Sequence, residues 1–152
     1  MAPDPARFAA VDLGATSGRV MLATVVDGRV HLEQVRRFVH DALPVEGELH
    51  WNLGRLFAEV RAGLGEAEQR CRADGRGLTG IGVDTWGVDY GLLTPRGALL
   101  EDPFNYRDAR TQGVPELVQG AIGAAELYRR CGLQVQPFNT IFQIVAQFHN
   151  GY

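Results

Sequence analysis

Near the start of the chain, a short turn of small and polar residues separates two apolar runs. Residues 12–19 read Asp-Leu-Gly-Ala-Thr-Ser-Gly-Arg. Apolar runs on both sides of a glycine-containing turn predict a β-hairpin. Gly14 and Gly18 are expected to adopt backbone angles closed to other residues, which would expose N–H groups as a cradle for an anion such as phosphate. Hydroxyl donors and a cation accompany them: Thr16, Ser17 and Arg19.

Asp12 stands where the first apolar run meets this turn. Because Mg²⁺ prefers carboxylate oxygens and keeps several waters, Asp12 is expected to face such an ion directly or through water. The turn is not a P-loop, since no Gly-Lys-Ser/Thr follows, and it is not a dinucleotide fingerprint, since it leads into a strand. From the residues alone, an ordinary hairpin with a glycine-rich turn remains an open alternative.

A second polar block, residues 84–90, follows a strongly apolar stretch. Open α/β sheets bind ligands at the carboxyl ends of their strands. Trp86 offers an apolar face to a sugar, and Gly87 allows close approach of the backbone. Asp84 and Asp89 can accept hydrogen bonds from hydroxyls. The alternative is a polar turn beside a core tryptophan.

Two later blocks are less informative. Arg107 and Arg110 are three residues apart and could pair with Asp108, a sugar hydroxyl or phosphate, or form a solvated salt-bridge cluster. In residues 136–143, helix capping by Asn139 or Thr140 accounts for the polar residues. The four histidines are dispersed and are expected in surface or loop positions: His31, His40, His50 and His149.

The elements that must position these residues are predicted from periodicity and turn signals. Strands are expected at 8–13, 20–26, 30–38, 78–85 and 88–93, loops at 40–50 and 101–112, and helices from Asn52 to about Cys71, from Pro115, at 124–131 and after Asn139. The last helix is expected to bury Ile141, Ile144, Val145 and Phe148. A strand, a helical crossover and a further strand imply parallel pairing, so the fold class is mixed α/β.

Composition and charge exclude several classes of protein. A length of 152 residues is suitable for one domain. With 15 basic and 18 acidic residues, the chain has no excess of positive charge that would indicate binding to nucleic acid or to an anionic membrane. No apolar run approaches the ~20 residues that span a bilayer. Residues 1–7 are expected to be a disordered lead rather than a signal peptide. Cys71 and Cys131 lack metal-site spacing and are expected to be reduced thiols of a cytoplasmic protein.

Four motifs, taken in order, resemble the N-terminal region of the FGGY carbohydrate kinases. They are VDLGATSGRVML, GVDTWGVDY, YRDART and PFNTIFQ, and the resemblance runs from Phe8 to Phe148. Within that family the motifs are most similar to those of the branch that phosphorylates L-rhamnulose. The resemblance implies a ribonuclease-H-like domain of the actin, Hsp70 and sugar kinase type. It also implies ATP and Mg²⁺ as cofactors and phosphorylation of L-rhamnulose at O1.

The resemblance also implies roles for particular residues. The ATP phosphate loop would consist of five consecutive residues: Ala15, Thr16, Ser17, Gly18 and Arg19. Asp12 would face the metal, and Gly87 would lie in the sugar site. Trp86, Asp89 and Arg107 extend that sugar site as our own hypothesis.

The family's general base is an aspartate well downstream of its first motifs, beyond residue 152 in the numbering of this sequence, and its second domain lies further on. Residues 8–152 are therefore expected to form an incomplete first domain, inactive without the remainder of the kinase. A kinase for another sugar such as L-fuculose, or a non-catalytic remnant or binding module, is the alternative.

Overall fold

A computed structural model describes residues 5–149. The strands are β1 (Ala6–Leu13), β2 (Ser17–Val26), β3 (Arg29–Val39), β4 (Ala42–Val45), β5 (Glu48–Trp51) and β6 (Gly80–Asp84). The helices are α1 (Leu53–Ala73), α2 (Val114–Ile122), α3 (Ala124–Cys131) and α4 (Thr140–His149), with a 3₁₀ turn at Ala109–Thr111. These elements form two compact units, the first from residues 5–41 and 52–87, the second from 42–51 and 88–149.

The first unit is a four-stranded sheet with the strand order β3-β2-β1-β6. β1 to β3 form the predicted antiparallel meander, and β6 runs parallel to β1, as the crossover implied. β1 begins earlier than expected, because Ala6 and Arg7 already pair with β2 and Arg7 binds Asp74 at 2.5 Å. These two residues therefore belong to the sheet rather than to a disordered lead, and residues 1–4 lie outside the described part.

α1 lies across β1, β2 and β3 and begins and ends where the sequence predicts. The side chain of Asn52 accepts a hydrogen bond from the Arg55 amide at 2.9 Å, and Gly75, with φ +71°, follows the C-terminal turn. A core forms between this helix and the sheet: Ala9, Leu22, Val35, Ala67 and Cys71. On the same face of the sheet, Ile81 and Val83 of β6 remain 57% and 63% exposed.

Gly63 sets the distance between α1 and β2. A Cβ atom at this position would lie 2.5 Å from Cγ2 of Val20. The absence of a side chain therefore allows the helix backbone to approach the sheet. This close approach accompanies the loss of helix propensity that glycine causes at this position.

The substitution Gly63→Ala tests this close approach. We expect it to lower the free energy of unfolding by about 1–3 kcal/mol, because the helix must move away from Val20. Gly65→Ala is the matched control, since no described atom lies within 4 Å of its added Cβ. It should raise stability by up to ~1 kcal/mol. Urea unfolding compares the two, and equal effects would contradict the close-packing interpretation.

The second unit begins with a hairpin where a loop was expected. Ala42–Val45 pairs antiparallel with Glu48–Trp51. Glu46 and Gly47 form the two-residue turn with φ values of +51° and +94°. Two positive φ angles are typical of the turn type that suits tight hairpins. The prediction of a loop was wrong because Glu-Gly is not among the dipeptides that signal this turn.

The expected strand at 88–93 is also absent from the described residues. Leu93 makes an isolated bridge with Leu99 around the predicted turn at 94–97. Further upstream, the carbonyl of Val88 accepts hydrogen bonds from the side chains of Thr140 and Gln143, at 2.7 and 3.2 Å. Side chains of α4 therefore satisfy backbone groups that a neighbouring strand would otherwise satisfy.

α4 turns a different face inward from the one predicted. Phe142, Gln143, Ala146 and Gln147 are buried, whereas Ile144 and Phe148 are 39% and 69% exposed. The two glutamines bind the segment at 88–90, and this polar contact fixes the helix rotation. An apolar core lies between α2, α3 and α4 and consists of five side chains: Val114, Val118, Leu127, Phe142 and Ala146.

No helix within residues 5–149 combines the length and the hydropathy that crossing a membrane would require.

Candidate functional site

The tip of the β1–β2 hairpin is exposed and held by two backbone hydrogen bonds. The Gly14 amide donates to the Ser17 carbonyl at 3.0 Å and closes the turn. The Thr16 carbonyl accepts a hydrogen bond from the His40 amide at 3.1 Å. Ala15 and Thr16 are exposed to solvent. A ligand can therefore reach the turn predicted to bind phosphate, and the turn is anchored to the end of β3.

Packing requires a glycine at position 18, and neither glycine of this hairpin has an unusual backbone angle. Neither Gly14 nor Gly18 has a φ in the left-handed region, so that part of the prediction was wrong. A Cβ atom on Gly18 would lie 2.3 Å from Cζ of Phe38 and 2.9 Å from Cδ2 of Leu13. On Gly14 it would lie 3.3 Å from the Ser17 carbonyl oxygen. The aromatic ring of Phe38 thus occupies the space above Gly18.

Four charged residues form a row across the end of the sheet. Asp84, Asp12, Arg19 and Arg37 are successive partners in the register of β6, β1, β2 and β3. Because directly paired residues point to the same side, the row lies on the face opposite α1. Arg19 Nε lies 3.1 Å from Asp12 Oδ2, and both side chains are nearly half exposed. Such a pair contributes at most ~1 kcal/mol, so a ligand can replace it at little cost.

The side chains of this row are of the types that could hold a magnesium–phosphate group. Mg²⁺ in such sites is held by one or two carboxylates together with phosphate oxygens and waters, and Asp12 and Asp84 supply two carboxylates. Arg19 and Arg37 supply cations for phosphate on the other half of the row. Within the described residues, no three His, Cys, Asp or Glu side chains come together as a metal site. A metal ion here would therefore depend on phosphate and water for its remaining ligands.

His40 is buried, contrary to the expectation of a surface or loop position. Its ring lies near those of Phe38 and Trp86, with centroid distances of 6.3 and 5.7 Å. Burial lowers the pKa of His40, and a hydrogen bond with the Gly14 backbone partly opposes that shift. His50 is buried as well, with Nδ1 2.7 Å from the Asp102 carbonyl oxygen. No local pattern in the sequence distinguishes these two histidines from the exposed His31.

Gly87 adopts a left-handed backbone conformation, and its place in a sugar site stays a prediction. Its φ is +66°, and a Cβ atom there would meet no described atom within 4 Å. Trp86, beside it, is partly buried against His40. Asp12, residues 15–19, Trp86 and Gly87 all belong to the first unit, whereas Asp89 and Arg107 belong to the second.

Asp89 is the centre of a hydrogen-bond network in the second unit. Its Oδ2 accepts from Trp51 Nε1 at 2.5 Å and from the Tyr106 amide at 3.3 Å. Its Oδ1 accepts from Gln143 Nε2 at 2.9 Å. The same glutamine accepts from Arg110 Nη2 at 3.1 Å. Asp89 therefore has a structural role that the sequence pattern did not reveal, and its role in sugar binding stays a prediction.

The arginines of the YRDART block interact mainly with aromatic rings. Arg107 is exposed and lies over the ring of Tyr106, 5.1 Å from its centroid. Arg110 lies 3.7 Å from the centroid of Phe104. Asp108 accepts hydrogen bonds from the amides of Leu49 and Arg110 at 2.7 and 2.8 Å. The carboxylate between the two arginines thus caps backbone groups.

The substitution Asp89→Asn tests the structural role. The amide would place N–H donors opposite Trp51 or Gln143, so we expect the free energy of unfolding to fall by about 1–3 kcal/mol without any ligand. Unfolding in urea can be followed by the fluorescence of Trp51 in a Trp86→Phe background, because the chain has two tryptophans. Asp27→Asn, at an exposed turn, serves as the control. Unchanged stability would mean that the network around Asp89 contributes nothing.

Known proteins similar in sequence to this chain are carbohydrate kinases. No family model matches. A rhamnulokinase from Bacteroides thetaiotaomicron is 41% identical over 137 residues, and one from Klebsiella pneumoniae is 45% identical over 139 residues. The chain is similar in sequence to these rhamnulokinases. Each alignment covers 90% of this chain but only 27% or 28% of the relative, so the chain spans little more than a quarter of the length of these curated relatives.

Solved sugar kinases share the fold. Gluconate kinase from Lactobacillus acidophilus matches with a TM-score of 0.77 and 13% identity, over 95% of this chain and 28% of that chain. Plasmodium falciparum glycerol kinase with ADP matches with a TM-score of 0.71 and 12% identity, over 97% and 29%. The predicted resemblance to FGGY carbohydrate kinases and the predicted α/β fold of the sugar kinase type are thereby confirmed.

Proposed function

We propose that this chain is the N-terminal part of a cytoplasmic kinase that transfers a phosphoryl group from ATP to O1 of L-rhamnulose. The observation that carries the proposal is the β1–β2 hairpin, whose exposed tip adjoins the row from Asp84 to Arg37. It occurs in a chain 40–45% identical to proteins named rhamnulokinase.

The hairpin would bind the phosphates of ATP. In this proposal, Thr16 and Ser17 offer hydroxyls, Ala15 and Gly18 offer backbone groups, and Arg19 exchanges Asp12 for phosphate oxygens. Asp12 would then hold Mg²⁺, which neutralises charge on the transferred group. Phosphoryl transfer depends mainly on positioning and electrostatic stabilisation, so a rigid hairpin with these groups suits the donor side of the reaction.

In this proposal, the sugar contacts Trp86, Gly87, Asp89 and Arg107. Gly87, with its open left-handed conformation, allows backbone approach. Trp86 is partly buried beside His40, and the exposed part of its ring would contact the sugar. Asp89 orders Trp51 and Tyr106 by hydrogen bonding and can still accept from a sugar hydroxyl, because a carboxylate has about four acceptor sites. Arg107 is exposed, and its guanidinium would leave the ring of Tyr106 to contact a polar substrate. The alternative substrate is another sugar such as L-fuculose. The alternative class of protein is a non-catalytic remnant or binding module.

A chimeric kinase tests the proposal. The matching segment of the Klebsiella pneumoniae relative is replaced by residues 8–148, and ATP-dependent phosphorylation of L-rhamnulose and L-fuculose is measured. We expect activity with L-rhamnulose, and Asp12→Asn should lower kcat at least ~10-fold, or ~1.4 kcal/mol, and raise the Mg²⁺ requirement.

Asp27→Asn is the control for this chimera, because Asp27 is an exposed acid with φ +49° at the opposite turn of β2, where Asn is tolerated. An identical Mg²⁺ titration for the Asp12 variant would remove the metal assignment. A folded chimera without activity toward either sugar would contradict the kinase proposal.

The 152-residue chain by itself should not phosphorylate L-rhamnulose above background. The proposed general base and the second wall of the cleft would come from the rest of the longer kinase, and both proton acceptance and alignment of ATP require them. Coupled ADP release is the assay, with a separately produced remainder of the relative added in a parallel sample. Activity of the chain alone would show that its base lies within these residues.

A further inference from the structure

We infer that His40 is a positioning residue, which holds the tip of the β1–β2 hairpin and the Trp86–Gly87 turn at a fixed spacing within the first unit. Its importance for phosphoryl transfer rests on the proposed function, whereas the contact itself does not. Asp12 and Arg19 were predicted from their residue types, but nothing in the sequence marked His40 as part of the same structure.

Three contacts place His40 between the two turns. Its amide donates to the Thr16 carbonyl at 3.1 Å. Its ring centroid lies 5.7 Å from that of Trp86, with the planes tilted by 46°. The ring centroid of Phe38, which fills the space above Gly18, lies 6.3 Å from that of His40. The hairpin thus contacts the end of β3 at Gly18, through Phe38, and at Thr16, through His40.

The burial of His40 makes this link specific for a neutral imidazole. The side chain is 4% exposed, and desolvation lowers its pKa below the ordinary value of 6.5. Two nearby charges shift the pKa of His40 in opposite directions. Asp41 raises it, and Arg55 of α1 lowers it. A neutral ring can both donate and accept a hydrogen bond, whereas a protonated ring would place an extra charge in the packed site.

The direction of the pH effect follows from this shift. Because the folded-state pKa lies below the unfolded value, the unfolded chain binds more protons between the two. The contribution of His40 to the stability of the first unit is therefore complete above about pH 6.5 and is lost as the pH falls from 6.5 through the folded-state pKa.

NMR of the full 152-residue chain tests the contact without any ligand or substitution. We expect the amides of Ala15 and Thr16 and the indole N–H of Trp86 to titrate together below pH 6.5, with one shared midpoint. His40→Asn should abolish this titration, and His40→Phe should increase hydrogen exchange at the hairpin tip at least ~10-fold. The control His31→Phe, which replaces an exposed histidine of β3, should change neither the titration nor the hydrogen exchange. Independent titration of the hairpin and Trp86 signals in the unsubstituted chain would overturn the inference.

The chimeric kinase described above tests whether His40 affects phosphoryl transfer. His40→Phe should lower kcat about 10- to 100-fold while KM for ATP and for L-rhamnulose stays within about 3-fold, because misplacement of reacting groups acts on kcat. An unchanged kcat would overturn the positioning role. If the NMR titration is shared but the unsubstituted chimera transfers no phosphate, the proposed function fails and the His40 contact stands.

Discussion

The register of β1 is the constraint on which the first unit depends. This strand pairs with β2 on one side and with β6 on the other, so its alternation decides which residues of three strands face α1. Ala9 and Val11 enter the core, and Asp12 takes the opposite face beside Arg19 and Asp84. If the pairing of β1 shifted by one residue, the Asp12 carboxylate would be buried and the core side chains would be exposed. The same register therefore determines both the packing of the core and the position of the charged residues.

Elements with local signals were predictable from the sequence. Asn52 begins α1, Asp27-Gly28 forms the turn between β2 and β3, and Gly123 and Gly132 delimit α3 where expected. Elements whose conformation depends on residues far away in the sequence were not predictable. The β4–β5 hairpin, the irregular segment after Gly87 and the rotation of α4 all depend on pairing or on hydrogen bonds between residues far apart in sequence, such as Thr140 with Val88.

The candidate site shows the same division. Residue types and spacing identified a polar hairpin, and the structure places Asp12 and Arg19 together at its base. The reason for Gly18 was different from the one predicted, because it depends on the ring of Phe38 20 residues later. His40 carries no local signal, since its burial exists only once the end of β3 meets Gly14, Thr16 and Trp86.

The long excursion between β1 and β6 has a consequence for how the molecule forms. Arg7 and Thr79 are in contact across 72 residues, and the segment between them includes the β4–β5 hairpin of the second unit. The meander and α1 can assemble from near neighbours, whereas β6 must wait for closure of this loop. During that delay Ile81 and Val83, on a strand at the edge of the sheet, are open to intermolecular pairing. The yield of refolded chain should therefore fall as its concentration rises.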